Sequence, residues 1–518
     1  MTVPGVQIET PLGLIRGQDG PVQRFLGIPY AAAPTGERRW RPPTPIDPWT
    51  GVFDATRFAA DCPQAPNVLL RGSGQSEDCL ALNIWAPETR HTSLLPVMVW
   101  LHGGGFTGGS GSDLRSDGTQ LASAGLVVVS VNYRTGIFGW LAHPDFVAES
   151  DEGSAGNYGL LDQIEALRWV RSNIASFGGD PHRVTVFGCS AGSASIALLL
   201  LTQQARGLFS QAILQSPGAC RPLCSLDEAC RAGATLAATA GDLRQRSTRD
   251  LLDLSKRLIP RMRGLTTPRI LRPIRDGSLI SQDEWPALQA GKLTPIPLMI
   301  GTNADEGTKL TADWTIETTA QWRSLISDSF GPHDDQALSL YPISTQADVR
   351  PAVAQVFGDT QFNHGADQFA RAAARFNTPV WRYLFKHRRP GADDGPHHGD
   401  EVAYVFGNLD TWRAATGVSL NDTDFNLSVS MQTAWVSFAH DGKPRLPQIS
   451  AHAPHARAQP DWPVFTAQDN RLMVLDTPPA IIEGWRDAPM RFLEELQRQR
   501  YFGTAPTSQA VSQARESS

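Results

Sequence analysis

The stretch that decides the fold is 177–193, which reads Phe-Gly-Gly-Asp-Pro-His-Arg-Val-Thr-Val-Phe-Gly-Cys-Ser-Ala-Gly-Ser. A run rich in β-branched residues, 184–187, comes before the first glycine of the Gly-x-Ser-x-Gly turn, and an apolar segment, 194–201, comes after the second. A strand, this turn and a helix in that order predict a nucleophile elbow. The glycines allow a turn too sharp for side chains, so the hydroxyl of Ser190 is expected to be exposed at the N-terminus of the helix.

Further apolar segments surround this unit. Residues 97–101 and 126–131 are continuous apolar runs, typical of parallel strands that are covered on both faces. Residues 160–177 carry apolar side chains at helical spacing and end at two glycines, which favour a helix stop. Residues 6–8 and 12–16 predict a hairpin around Thr10-Pro11. The later strand candidates are 212–214, 297–300, 380–385 and 472–475.

Strands that alternate with helices predict an α/β fold, a mostly parallel central sheet with helices on both faces. The segment 222–290 is helical in tendency and poor in strands. We expect it to form helical insertions over the C-terminal edge of the sheet, where open α/β sheets place their active sites. We expect one domain over 1–502, followed by a disordered tail at 503–518 that is polar and rich in small residues.

Composition narrows the function classes. Apolar residues make up 41% of the 518 residues, enough for a large core, and a net charge of −6 offers no basic footprint for nucleic acid. No apolar run approaches 18 residues, so no membrane span is expected. The first residues lack the basic and apolar regions of a signal peptide, which favours a cytoplasmic protein. The sequence gives no indication of the oligomeric state.

The cysteines give no sign of a metal centre. The chain has six of them, and none forms the CxxC pairs typical of zinc sites. We therefore predict neither a metal ion nor a cofactor. Two of the thiols could form one disulfide in an oxidising compartment.

A serine nucleophile needs a base to take its proton and a carboxylate to orient that base. With an elbow, the expected chain order is serine, acid, histidine. The loop after the strand 297–300 offers Asp305 and Glu306, and a Gly-Pro segment further on offers His397 and His398. Spacing alone leaves both choices open.

The tetrahedral intermediate also needs hydrogen-bond donors for its oxyanion. The glycines 103–105 follow a strand and can present backbone amides, and the amide of Ala191 comes directly after the nucleophile. Each such donor contributes roughly 10²–10³ in rate. The alternatives are a flexible loop or a phosphate cradle, but the chain has no Gly-Lys-Ser/Thr unit to support the latter.

The chain resembles the type B carboxylesterases, the family that includes bacterial para-nitrobenzyl esterases and the cholinesterases. The resemblance runs from about residue 6 to about residue 465, and it rests on many motifs that occur in order. These are Thr-Pro-Leu-Gly at 10–13, Phe-Leu-Gly-Ile-Pro-Tyr-Ala at 25–31, Ser-Glu-Asp-Cys-Leu at 76–80, His-Gly-Gly-Gly-Phe at 102–106, Asn-Tyr-Arg at 132–134, Gly-Asn-Tyr-Gly-Leu-Leu-Asp-Gln at 156–163, and the elbow.

The resemblance implies a Ser-His-Glu triad. The family's acid lies in an Asp-Glu-Gly turn, which matches Glu306, and its base matches His398. The family's oxyanion donors match Gly104, Gly105 and Ala191. It thereby implies which members of the two ambiguous pairs take part in catalysis.

The resemblance also implies supporting residues. Ser216 matches a buried serine that supports the family's triad, and Cys62 and Cys79 match its N-terminal disulfide, which leaves an exported mature form open. One departure is Cys189, which stands where the family usually has a glutamate, and we expect it to alter acyl or leaving-group preference. The loop between Cys62 and Cys79 has no tryptophan, so choline esters are poor candidates.

The predicted function is hydrolysis of small-molecule carboxylic esters through an acyl-enzyme. Amide or carbamate hydrolysis by the same residues is an alternative, and a non-catalytic binding protein of this fold is another. Arginines crowd the expected insertion, which suggests an anionic substrate such as a polycarboxylate ester of the tricarballylate mycotoxin type, because guanidinium groups bind carboxylates in a fork. They are Arg221, Arg257, Arg261, Arg263, Arg269, Arg272 and Arg275. The alternative is a solvated basic face.

Overall fold

The structure is a computed structural model, and it describes residues 5–88, 93–259, 265–447 and 460–503. Its strands are β1 (Gly5–Thr10), β2 (Gly13–Gln18), β3 (Val22–Pro29), β4 (Val52–Asp54), β5 (Ala81–Pro87), β6 (Leu95–Leu101), β7 (Val127–Val131), β8 (Gly179–Cys189), β9 (Gln211–Gln215), β10 (Leu298–Asn303), β11 (Val380–Phe385), β12 (Arg471–Leu475) and β13 (Ala480–Glu483).

The helices lie between and around these strands. They are α1 (Thr119–Ser123), α2 (Gly136–Trp140), α3 (Pro144–Ala148), α4 (Tyr158–Asn173), α5 (Ala191–Leu199), α6 (Leu226–Ala240), α7 (Thr248–Ser255), α8 (Glu284–Gln289), α9 (Thr319–Phe330), α10 (Asp334–Leu340), α11 (Val349–Gly358), α12 (His364–Arg375), α13 (Glu401–Phe406), α14 (Leu409–Thr416), α15 (Asp422–Asp441) and α16 (Asp487–Phe502). A π-helical turn, Asp359–Asn363, joins α11 to α12.

Short 3₁₀ turns complete the secondary structure. They are Gly36–Arg38, Leu114–Ser116, Ile174–Phe177, Gln203–Ala205, Leu243–Gln245, Lys256–Leu258, Lys309–Thr311, Gly331–His333 and Gln346–Asp348.

One large sheet organises the molecule. Its strand order is β1-β2-β3-β5-β7-β6-β8-β9-β10-β11-β12-β13, and β4 pairs with β2. The central strands from β7 to β12 in this order are parallel, and so is the pair β2 and β4. The other N-terminal pairs and the pair β12 and β13 are antiparallel. The fold is therefore α/β, with a mostly parallel sheet and helices on both faces, as the alternating pattern predicts, and this agrees with the α/β-hydrolase type expected from the elbow and the resemblance.

The parallel strands are buried because both of their faces are covered. Every residue of β7 and β11 is buried, and β6 and β8 alternate between two large apolar clusters on opposite faces of the sheet. This explains why their sequences are continuous apolar runs rather than alternating ones.

The local predictions agree well with the structure. The hairpin forms, with Thr10 paired to Gly13 across its turn. The helix predicted at 160–177 is α4 followed by a 3₁₀ turn, and it ends at Gly178, whose φ of 81° favours glycine. The antiparallel strands β3 and β5 were not predicted, because they carry polar, glycine and proline residues among their apolar ones.

The segment 222–290 contains α6, α7 and α8, and no strand lies in its described part. None of the helices in the described ranges is both long and apolar enough to cross a bilayer. The single domain over 1–502 stays a prediction. The expected disordered tail at 503–518 lies, apart from Gly503, outside the described residues.

Candidate active site

The elbow holds Ser190 in a strained conformation. β8 ends at Cys189 and α5 begins at Ala191, and between them Ser190 has φ 57° and ψ −117°. Its amide donates to the carbonyl of Gln215 at 2.9 Å. A Cβ added to Gly192 would lie 1.9 Å from the carbonyl oxygen of Leu101, so only glycine fits there. Tight packing of the main chain thus stabilises a conformation that non-glycine residues rarely adopt.

Glu306 is fixed by three donors. It follows β10, and it is 3% exposed. Its Oε1 accepts hydrogen bonds from Ser216 Oγ at 2.6 Å and from the amide of Asn303 at 2.7 Å. Its Oε2 lies 2.5 Å from Nδ1 of His398. The carboxylate therefore has one oxygen held by the scaffold and the other directed at the imidazole.

His398 is oriented by Glu306 and covered by Phe362. Burial alone would lower the pKa of His398, but the charge of Glu306 and its hydrogen bond outweigh burial and raise that pKa above its usual value. The ring of Phe362 stacks on the imidazole with centroids 4.2 Å apart. The Nε2 atom is buried and has no hydrogen-bond partner among the described residues.

Ser190 and His398 line the same cavity, but they do not form a hydrogen bond in this structure. Such catalytic bonds are often long before substrate binds. The structure brings Glu306 together with His398, whereas the other candidates, Asp305 and His397, lie next to each other with Oδ2 and Nε2 3.8 Å apart. The structure therefore pairs Glu306 with His398 and Asp305 with His397, the four residues among which sequence spacing left the choice open.

The glycine loop after β6 packs against the elbow. A Cβ on Gly103 would lie 2.9 Å from the carbonyl oxygen of Cys189. Gly104 has φ 116°, and its Cβ would lie 2.2 Å from the carbonyl oxygen of Gly108, while Gly105 has φ 64°. Glycine is therefore required at this close approach, and the loop lines the cavity together with Ala191.

The catalytic cavity has a volume of about 400 Å³. The charged side chains that line it, His398 aside, are more often positive than negative. Those lining it are Asp113, Arg115, Arg221, Arg269 and Arg272. Asp113 and Arg115 form an ion pair at 2.7 Å.

Three of the crowded arginines thus face the cavity, and we call Arg221, Arg269 and Arg272 the arginine wall. Arg221 and Arg269 both donate to Oε1 of Gln361, the latter at 2.8 Å. The guanidinium of Arg272 lies over the ring of Phe106, 5.1 Å from its centroid.

The other arginines lie elsewhere. Arg257 contacts Thr239 on the surface, and Arg275 forms an ion pair with Asp283 at 3.1 Å. Arg261 and Arg263 lie outside the described residues.

A buried acid lies close to the arginine wall. Glu284 is 2% exposed, and its carboxylate accepts a hydrogen bond from the amide of Cys220. Burial raises the pKa of Glu284 to about 7, although Arg221 and Arg272 act to lower it. Its charge therefore changes near neutral pH.

Three residues that adjoin the site, Gln361, Phe362 and Glu401, were not predicted from the sequence. Gln361 and Phe362 come from the π-helical turn, far along the chain from the elbow. Glu401 is fully buried and accepts hydrogen bonds from Gln215 at 3.0 Å and Asn303 at 2.7 Å. Its place three residues after His398 was the only sequence signal for it.

Cys189 contacts this buried acid. Burial, together with the charge of the nearby Glu401, raises the pKa of Cys189 well above its usual value. The thiol is therefore neutral at pH 7. Where the family usually has a glutamate, this chain thus places an uncharged group beside Glu401.

The expected disulfide is wrong for this structure. Cys62 and Cys79 are both buried, and both are free thiols. Cys62 Sγ also accepts the amide of Thr135 at 3.3 Å. The two thiols lie close enough to shift each other's pKa, but each is free rather than joined in a covalent bond.

The fold and the elbow together define an α/β hydrolase whose elbow serine, Ser190, lines a cavity. The chain matches the carboxylesterase family over residues 4–493, and it belongs to this family. The protein is accordingly a carboxylic-ester hydrolase.

Named relatives agree with this class. A fumonisin B1 esterase of Sphingopyxis macrogoltabida is 45% identical over 444 residues, 84% of this chain and 82% of the relative. A para-nitrobenzyl esterase of Bacillus subtilis (strain 168) is 35% identical over 91% of this chain and 94% of its own length. A solved thermophilic PNB esterase has a TM-score of 0.82 at 32% identity, covering 94% of this chain and 99% of that one.

Proposed function

We propose that Ser190, His398 and Glu306 hydrolyse carboxylic esters whose acyl or alcohol part carries carboxylates. One observation carries the anionic preference: the arginine wall lines the same cavity as the serine and the imidazole. A guanidinium binds a carboxylate in a fork, and a cavity lined by cations concentrates anions near the nucleophile.

The reaction proceeds through an acyl-enzyme. Ser190 Oγ attacks the ester carbonyl while His398 Nε2 accepts its proton, and Glu306 stabilises the imidazolium from the other ring nitrogen. Backbone amides of the glycine loop and of Ala191 bind the developing oxyanion. The imidazolium protonates the leaving alcohol, and then His398 activates a water molecule that releases the acid.

Support for the roles comes from the hydrogen bonds of the site. Glu306 uses one oxygen for Ser216 and Asn303 and the other for the imidazole, so Nδ1 is held as the donor and Nε2 is left to face the cavity. This is the tautomer that a general base needs.

A matched substrate set tests the anionic preference. The set consists of the 4-nitrophenyl esters of pentanoic acid and of glutaric acid, which share a leaving group and differ by one carboxylate. Esters with the carboxylate in the alcohol part are added. Fumonisin B1 is included because a relative at 45% identity is named for it.

The variants Arg221→Gln, Arg269→Gln and Arg272→Gln are compared with the control Arg257→Gln, which changes the same charge on the surface. We expect the wall variants to lose about tenfold in kcat/KM on the anionic esters, the loss of roughly one charge-assisted hydrogen bond. Hydrolysis of the neutral ester should stay within twofold. Equal kcat/KM values for the wall variants and the control on every anionic ester would contradict the proposal.

A further inference from the structure

A second set of acidic and imidazole side chains lies beside the proposed triad. Asp305 precedes Glu306 and His397 precedes His398, so the same two loops supply both sets. His397 Nε2 lies 3.1 Å from Asp394 Oδ1 and 3.8 Å from Asp305 Oδ2. One ligand atom from each of these three side chains lies within 4.8 Å of the others.

The spacing of these atoms suits a small divalent cation. A tetrahedral ion with bonds of about 2.0–2.1 Å keeps neighbouring ligand atoms roughly 3.3–3.4 Å apart. The two separations measured from Nε2 lie on either side of that value. Small side-chain movements of Asp305 and Asp394 would complete three ligands of one ion, with water as a fourth.

The imidazole of His397 is poised as a ligand. Its side chain is 7% exposed, and Nε2 faces Asp305 and Asp394. Its other nitrogen, Nδ1, lies 3.4 Å from Asp400 Oδ2 and has no hydrogen-bond partner among the described residues. A histidine that binds a metal commonly directs its second nitrogen at a carboxylate, which fixes the tautomer and the ring. Asp400 is held in turn by the guanidinium of Arg389 at 3.2 Å.

Charge favours a cation at this place. Within the described ranges, neither Asp305 nor Asp394 forms an ion pair with a lysine or arginine, because Lys309 and Arg389 pair with Asp400 instead. The two carboxylates open onto a cavity of about 360 Å³. Its charged lining comprises Asp305, Glu306, Asp359, Asp393, Asp394, Arg388 and Arg486, an excess of acid.

We propose that Asp305, Asp394 and His397 bind one divalent transition-metal ion, Zn²⁺ or Mn²⁺. Imidazole nitrogen suits zinc, and carboxylate oxygen suits manganese. None of the three residues lines the catalytic cavity, so the ion takes no part in the ester chemistry. It ties the loop that carries Glu306 to the loop that carries His398.

Calorimetric titration of the full chain tests the site. Protein treated with EDTA and dialysed is titrated with ZnCl₂ and, separately, with MnCl₂, with MgCl₂ as a comparison. We expect one Zn²⁺ or Mn²⁺ per chain, and at least a tenfold loss of affinity in Asp394→Asn. Asp394 is more than half exposed, so this variant should fold.

Asp393→Asn is the matched control, because it removes the same charge from the adjacent exposed residue. It should bind the ion within threefold of the unaltered protein. Asp400→Asn should lose affinity by roughly tenfold or more, since partners of a ligand typically contribute 10–100-fold.

Thermal unfolding gives a second readout. An ion that binds only the folded chain should raise Tm by about 2–3 °C at a hundredfold excess over Kd. Ser190→Ala should bind the ion as the unaltered protein does, so the result is separate from the fate of the proposed triad. The proposal is overturned by the absence of saturable Zn²⁺ or Mn²⁺ binding, by unchanged affinity in Asp394→Asn, or by an equal loss in Asp393→Asn.

Discussion

The elbow and the arginine wall line the same cavity, yet they position their residues by different means. At the elbow, main-chain atoms lie so close that a Cβ on Gly192 or Gly103 would clash with a carbonyl oxygen. On the wall, long side chains reach inward and are held by Gln361 and by an aromatic ring. The comparison shows that main-chain packing fixes the elbow, whereas contacts between side chains hold the wall. In the proposed function the elbow carries the reacting hydroxyl and the wall binds the carboxylate of the substrate.

The largest effect is expected when the proposed nucleophile is removed. Ser190→Ala should lower kcat by about 10⁴-fold or more, because no other hydroxyl is held by the elbow. Stopped assays with a 4-nitrophenyl ester measure it. Ser193→Ala is the control: its hydroxyl is buried in α5 without a partner, and its loss should leave kcat nearly unchanged. Near-normal turnover by Ser190→Ala would refute the proposed role of the elbow.

The next effect tests the glycine loop. Gly104→Ala places a Cβ 2.2 Å from the carbonyl oxygen of Gly108 and should shift the loop amides, lowering kcat by roughly 10²–10³-fold. Gly125→Ala also has a positive φ, 89°, but meets no atom within 4 Å. It should cost about 1 kcal/mol of folding stability and no activity. Equal kcat values in the two variants would show that the loop is not a rigid part of the site.

A smaller effect is expected when the hydrogen bond from Ser216 to Glu306 is removed. Ser216→Ala removes the donor to Oε1 but leaves the amide of Asn303, so we expect kcat to fall about tenfold with KM unchanged. Ser210→Ala, which loses a bond to the carbonyl of Val184, serves as the control. An increase in KM without a change in kcat would show that Ser216 acts on substrate binding instead.

The smallest expected effect is a pH dependence of the preference for anionic esters, caused by Glu284 beside the arginine wall. Glu284 has a pKa of about 7, so it is neutral below pH 7 and negative above it. Its charge then offsets Arg221 and Arg272, and the preference for an anionic over a neutral ester should fall about threefold between pH 6 and pH 8. The ratio of the two kcat/KM values cancels the titration of His398. Glu284→Gln should make this ratio independent of pH, and a ratio that still falls in that variant would contradict the assignment.

The sequence predicted those parts of the candidate site whose positions are set by main-chain geometry. The elbow, the glycine loop and the ends of the parallel strands have local patterns, because main-chain geometry demands glycine or apolar residues at particular positions. Spacing narrowed the candidate acid and base to pairs of neighbours. The resemblance implied Glu306 and His398, and the structure brings these two side chains into contact.

The side chains that reach the site through tertiary packing could not be predicted as well. The crowded arginines suggested an anionic substrate, but nothing local showed that Arg272 faces the cavity while Arg275 pairs with Asp283. Gln361 and Phe362 join the site only through the packing of a distant turn. The disulfide expected from the resemblance was wrong, since the family pattern fixes proximity but not the bonding of Cys62 and Cys79.

The π-helical turn Asp359–Asn363 has a consequence for how this chain could diverge. Such a turn holds one residue more than a regular α-helical turn, and it is frequently found at functional sites. Deleting one residue from it would restore the ordinary repeat and rotate the preceding side chains by about 100° around the axis. Phe362 would then no longer stack on His398, and Gln361 would lose its hydrogen bonds to Arg221 and Arg269. The loss of a single codon here would therefore change the surroundings of the imidazole and of two arginines of the wall, while the sheet stays intact.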